Sequence, residues 1–202
     1  MNAELMVTSA PSLRPMELRI RETCEALSCS KTKGALGECI ACEIIRFSLV
    51  DLQIIGGRLH RELENVPSPY QEALRPHLIG QIFGMHHTVL ALHNSGAFKT
   101  MHEPLIDPAT FGEFCRMVPE GCYSWDGGIR PDNPVHRLFY YLVSACAMFV
   151  FDQPGHPLGM PFPGGFRVEK TGGIYLCPVR DREKEVFFSI CNFCPAKQSD
   201  VP

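Results

Sequence analysis

At 202 residues, 45% hydrophobic and 20% charged with a net charge of −3, the chain can bury a core of its own without covalent staples. Neither half is basic and no run of like charge stands out, which argues against nucleic acid as a partner. Ten cysteines are many for such a chain. The N-terminus lacks a basic region, an apolar run and a small-residue cleavage site, so reduced thiols in a cytoplasmic setting are expected and metal ligation is favoured over disulfides.

Residues 1–15, with Pro11 and Pro15, read as a loose lead-in. A first helix is expected over 16–28 and a longer one over roughly 36–64. In the longer helix, Ile40, Ile44, Phe47 and Ile54 form one apolar stripe, and Ile45, Leu49, Leu52 and Leu59 a neighbouring one. Two stripes predict a central helix contacted from more than one side. Ser68-Pro69-Tyr70-Gln71 offers a capping serine, a proline at the first helical position and a glutamine three residues after the cap, so a third helical region starts there. Pro76 is expected to kink it. It resumes through about Asn94, with Leu78, Ile82, Met85, Val89 and Leu92 on one stripe.

Asp107-Pro108 opens a short helix to about Val118, and Asn133-Pro134 an apolar one to about Phe151. The stretch from Leu138 to Phe151 has fourteen residues, too few to span a bilayer, so it reads as a buried helix and no membrane partner is expected. From Asp152 to Gly165 four prolines and four glycines rule out a helix. Phe166–Lys170 and Ile174–Cys177 then alternate around a Thr171-Gly172-Gly173 turn, the pattern of a β-hairpin. The expected fold is mainly α: a bundle of about five helices over 1–151, carrying a small C-terminal β-hairpin, cysteine-containing subdomain over 152–202 and packed with it as one unit.

The chemistry-bearing residues gather in that second part. Cys191-Asn192-Phe193-Cys194 places two thiols on one tight turn, and Cys177 at the end of the second hairpin strand can face them. Three ionised thiolates repel one another, and a divalent metal or an iron–sulfur cluster relieves that repulsion while ligating them. His156 is the first choice of fourth ligand because its Pro/Gly loop fixes the imidazole at small entropic cost; Asp181 and solvent are the alternatives. Zinc is the first expectation and an iron–sulfur cluster the alternative, since no four-cysteine set is evident locally. Reduced cysteines acting as small buried hydrophobes would leave the same pattern without a metal.

Cys39-Ile40-Ala41-Cys42 is a second such pair, but it lies in a helical stretch and reads first as structural. Cys24, Cys29, Cys115, Cys122 and Cys146 read as packing residues. His86 and His93, two turns apart, read as core histidines that hydrogen-bond, while His60, His77, His102 and His136 suggest only solvent or capping roles. No dinucleotide fingerprint, phosphate-binding loop or nucleophile elbow occurs. Trp125–Arg130 reads as an exposed turn.

Taken together, Gly155-His156-Pro157, Pro161-Phe162-Pro163-Gly164, Tyr175-Leu176-Cys177-Pro178-Val179 and Cys191-Asn192-Phe193-Cys194 resemble an uncharacterised protein family of methanogenic archaea, over roughly residues 138–198. The resemblance implies an anaerobic archaeal cytoplasm rich in zinc and iron–sulfur proteins, with Cys177, Cys191 and Cys194 part of the shared pattern; it brings no activity with it. The expected function is a metal-binding accessory or assembly factor that presents the Pro-Phe-Pro-Gly-Gly loop to a protein partner. A redox or hydrolytic component with an iron–sulfur cluster or open zinc, and thiol–disulfide exchange at Cys191 and Cys194, remain as alternatives.

Overall fold

A computed structural model describes residues 15–124 and 133–199. The expected lead-in and the Trp125–Arg130 turn lie outside these residues. The chain is mainly helical, with a small three-stranded sheet near its C-terminal end.

α1 (Pro15–Ser28) buries Ile20, Cys24 and Leu27. The single helix expected over 36–64 is two: α2 (Lys33–Ile44) and α3 (Leu49–Glu64). The break comes from a capping box. Ser48 Oγ accepts from Asp51 N–H at 3.2 Å, and Asp51 Oδ2 accepts from Ser48 N–H at 2.9 Å, so a new helix starts where one was expected to continue. α2 is the central helix foreseen, with Leu36, Ile40 and Ile44 fully buried. A side chain at Gly37 would run into the Phe98 ring, so glycine there lets the two approach closely. α3 departs from the expectation: only Leu63 is buried along its length.

α4 (Tyr70–Ile79) passes through Pro76 as helix, and a π turn (Gly80–Gly84) joins it to α5 (Met85–Ser95). The expected serine cap is not made. Ser68 Oγ donates to Glu72 Oε1 instead, and Gln71 Nε2 reaches back to the carbonyl of Leu63 at 2.7 Å, tying α4 to the end of α3. α6 (Pro108–Tyr123) starts as foreseen, with Asp107 accepting from Thr110 N–H at 2.9 Å, and runs past Val118 despite Pro119. α7 (Pro134–Ala145) is capped by Asn133, whose side-chain oxygen accepts from Val135 N–H at 2.9 Å, and ends in a second π turn (Cys146–Val150). Leu138, Phe139, Tyr141 and Leu142 form the centre of the core, where Phe139 meets Phe47 edge-on at 5.0 Å and Phe114 meets Phe149 at 5.4 Å.

Beyond Phe151 the chain doubles back twice. Phe162 N–H donates to the Phe166 carbonyl at 2.8 Å and Val168 N–H to that of Met160 at 3.1 Å, so the Pro/Gly segment is itself a tight hairpin about Gly164 and Gly165, both with positive φ. β1 (Glu169–Thr171) and β2 (Ile174–Cys177) then pair antiparallel around Gly172 and Gly173, again both at positive φ, as a two-residue hairpin turn requires. β3 (Lys197–Gln198) pairs parallel with β2, placing Gln198 opposite Cys177. Sequence reading missed this strand because two residues carry no alternation. Val168, Cys177, Ile190, Cys194 and Ala196 join the same core as the helices.

Candidate metal centre

Four segments converge at the C-terminal end of α7. The loop carrying His156 leaves the second π turn, where Asp152 takes a left-handed φ of 53° and its carboxylate pairs with the Lys33 ammonium at the start of α2. Gln81, in the first π turn, donates to the Gly155 carbonyl at 2.7 Å. Gly155 packs so closely on Ile190 that a side chain there would overlap its terminal carbon. These contacts fix the backbone leading into the imidazole.

The His156 ring meets Phe162 edge-on at 5.4 Å and brings Nδ1 to 3.9 Å from Cys177 Sγ. The half-buried imidazole is held down at about 4 by desolvation, so at neutral pH it is uncharged and offers a lone pair. Cys177, buried at the end of β2, has its thiol pushed up chiefly by burial and to a lesser degree by Cys194, while the backbone N–H groups of Val179 and Arg180 and the Arg180 cation favour the thiolate.

Cys191 and Cys194 are brought together by a single 3₁₀ turn (Ile190–Phe193), capped by Ser189 Oγ accepting from Cys191 N–H at 3.2 Å. Burial raises Cys191 to about 11, with further upward contributions from Cys194, Cys177 and Glu183 and a lowering one from Ser189. Cys194 Sγ accepts from Gly155 N–H at 3.3 Å. All three thiols are buried and close enough to act on one another electrostatically. Among the described residues, no three His, Cys, Asp or Glu side chains stand as a group that could hold a metal ion.

The other candidates separate clearly. Cys39 and Cys42 share a face of α2, and the Cys39 thiol is raised by burial, then by Cys42, Glu43 and Cys29; none of these belongs to the C-terminal group. Cys24, Cys115, Cys122 and Cys146 are buried packing residues, whereas Cys29 is exposed. Burial raises the Cys115 and Cys122 thiols to about 12. His86 packs on Phe139 at 5.6 Å and His93 Nδ1 lies 3.1 Å from Glu38 Oε2; both are half-buried at the edge of the core rather than within it. His136 corrects the solvent or capping role: it is buried, with Nε2 2.9 Å from Asp51 Oδ1. Asp181 turns to Arg180 and Lys184. The features not foreseen are the Gly155 amide on Cys194 and the Lys33–Asp152 pair; both link residues far apart in sequence and leave no local pattern.

The family described as "uncharacterized protein conserved in archaea (DUF2115)" matches residues 32–199, and the chain belongs to it. A UPF0305 protein of Methanothermobacter thermautotrophicus is 46% identical over 54 residues, 27% of this chain and 35% of that protein. One of Methanopyrus kandleri is 39% identical over 67 residues, 33% of this chain and 47% of the relative. In these two the match spans less than half of the relative's own length. One of Methanocaldococcus jannaschii is 23% identical over 162 residues, 78% of this chain and 91% of the relative. No solved structure matches. Among the described residues, no helix is long and apolar enough to cross a membrane.

Proposed function

We propose, with membership of that archaeal family as the premise, that this protein is a metal-binding accessory factor of the cytoplasm whose C-terminal unit closes on one zinc ion through Cys177, Cys191, Cys194 and His156. The observation that carries the reading is the convergence of three buried thiols and a neutral imidazole from β2, the 3₁₀ turn and the Pro/Gly loop. The Cys177–His156 separation of 3.9 Å is close to the spacing of two ligands on one tetrahedral ion, and metal binding requires the Cys191 and Cys194 side chains to turn onto that pair. Burial favours the thiol form of the empty site; a divalent ion reverses that preference by binding the thiolates directly. Burial also favours a closed structural site over thiol–disulfide exchange, which needs an accessible thiolate. Zinc is preferred to an iron–sulfur cluster because Cys39 and Cys42 keep company with Cys29 and Glu43 rather than with the C-terminal thiols. The exposed hairpin tip at Pro163, Gly164 and Gly165 is the surface offered to a protein partner.

Metal analysis and a visible spectrum of protein purified without oxygen test the reading together. Colourless protein with one zinc per chain is expected, and Cys191→Ser with Cys194→Ser abolishes it. A brown cluster absorbing in the visible would replace zinc by iron–sulfur. Metal-free protein whose double variant folds and behaves like the parent would end the metal reading altogether.

A further inference from the structure

The two π turns border one cleft, with a volume of about 290 Å³, at the small end of the range that holds ligands. Gly80 and Gln81 come to it from the first π turn, Ala147 from the second, and Gln153, Leu158 and Tyr175 from the C-terminal unit. A π turn is a rare departure from the α ladder and is found most often beside a functional site. Asp152 adds a second sign. Its left-handed φ of 53° is uncommon for a residue with a side chain, and such conformations gather at ligand sites. It delivers the chain straight into Gln153, whose N–H donates to the Ala147 carbonyl at 2.8 Å.

The lining restricts what can enter. Among the described residues, no charged side chain lines the cleft. Lys170 lies over the Tyr175 ring at 4.6 Å and donates to the Tyr175 hydroxyl at 3.3 Å, and Asp152 is paired with Lys33. An ion entering here would lose water without gaining a counter-charge. The accessible polar groups are two carboxamides. Gln81 uses its Nε2 on the Gly155 carbonyl at 2.7 Å, which fixes the amide and leaves Oε1 as an acceptor. The Gln153 side chain has no hydrogen bond of its own among the described residues, so it can donate or accept.

We infer that this cleft binds a small uncharged carboxamide. Its apolar part packs on Ala147, Leu158 and Tyr175, its N–H donates to Gln81 Oε1, and its carbonyl accepts from Gln153. An ester of the same shape brings no donor for Gln81 Oε1, and a carboxylate brings neither donor nor balanced charge. The site borders the candidate metal ligands without using them, so it stands apart from the zinc reading.

Saturation-transfer NMR on the full chain tests this, with benzamide as probe and methyl benzoate and benzoate as matched controls. Benzamide should bind in the millimolar range, as a ligand of its size can, and both controls roughly tenfold more weakly. Gln153→Leu should weaken benzamide binding roughly fivefold. Gly80→Leu is the discriminating variant. Gly80 has a helical φ of −62°, and a side chain there would meet nothing within 4 Å. The variant should therefore keep the thermal midpoint and metal content of the wild type while its side chain occupies the cleft and abolishes the benzamide signal. Benzoate or methyl benzoate binding as tightly as benzamide overturns the inference, and so does a benzamide signal that survives Gly80→Leu. A wild type that takes no benzamide overturns it too, whether a second copy covers the cleft or nothing does.

Discussion

Ten of the twelve residues of α7 are buried, whereas from residue 152 on the buried residues come in scattered pairs or singly: Pro154-Gly155, Met160-Pro161, Val168, Cys177-Pro178, Ile190-Cys191, Cys194 and Ala196. The helical body is held by continuous apolar area. The C-terminal unit is held by placed polar contacts, in which helix side chains donate to carbonyls of an irregular backbone. Tyr70 reaches Pro161 at 3.1 Å, Gln81 reaches Gly155 at 2.7 Å, and Tyr141 reaches Phe188 at 2.9 Å. Regular secondary structure satisfies its own backbone; loops must borrow donors. A chain that joins the two kinds of construction can be damaged in two different ways.

The largest separation of the two should come from Phe139→Ala. This ring is fully buried against Phe47 and His86, so its loss should lower global stability by about 3–5 kcal/mol, seen as a shift of the whole urea transition. If zinc is bound as proposed, a strong chelator should do the reverse. Limited proteolysis should then cut first within 152–199, while helical circular dichroism is largely retained. Simultaneous loss of both regions would mean that they do not come apart in this way.

Acid sharpens the contrast. His156 has a folded pKa of about 4 against an ordinary 6.5, so the unfolded chain takes up the proton first. Stability from this residue is full above about pH 6.5 and is lost as pH falls toward 4. With the ring half-buried, roughly 1–2 kcal/mol is expected in metal-free protein, and His156→Gln should flatten that part of the profile. In the helical body, Asp51 is held down at about 2 by hydrogen bonds from Ser48 and then from His136. Its contribution is present above its ordinary 3.8 and is lost as pH falls through 2. The two regions therefore titrate in separate windows, which urea midpoints across pH can resolve. The smallest effect is at a helix end: Asp107→Ala removes the acceptor for Thr110 N–H and should lower the urea midpoint slightly without touching the C-terminal unit.

The same division explains what the amino-acid order reveals. Helix starts at Asp107 and Asn133 are local signals and stand as expected. Ser48 and Asp51 also carried a local signal, a capping box inside an apolar run, and the strength of the surrounding stripe obscured it. The double-glycine turn at Gly172 and Gly173 announced its hairpin, because only glycine takes two successive left-handed conformations at no cost. The pairing of β3 with β2, the Gly155 amide on Cys194 and the burial of His136 against Asp51 depend on residues tens of positions apart. No pattern along the chain encodes them.

The two π turns carry a consequence for how relatives can differ. At Gly80–Gly84 and Cys146–Val150 the helix accommodates one residue more than an α ladder needs, as a local widening, and the core residues on either side, Leu74 and Val89 in the first case, keep their places. A one-residue deletion within Gly80–Gly84 should return the ladder to α form with α4 and α5 still in phase, and one within Cys146–Val150, where α7 ends, should leave the helix before it unchanged. A deletion elsewhere in the same helices should rotate everything downstream by about 100°. Single-residue length changes among family members should therefore collect at these two points of the helical body, and sequences that lack the extra residue should keep the same core on both sides of the gap.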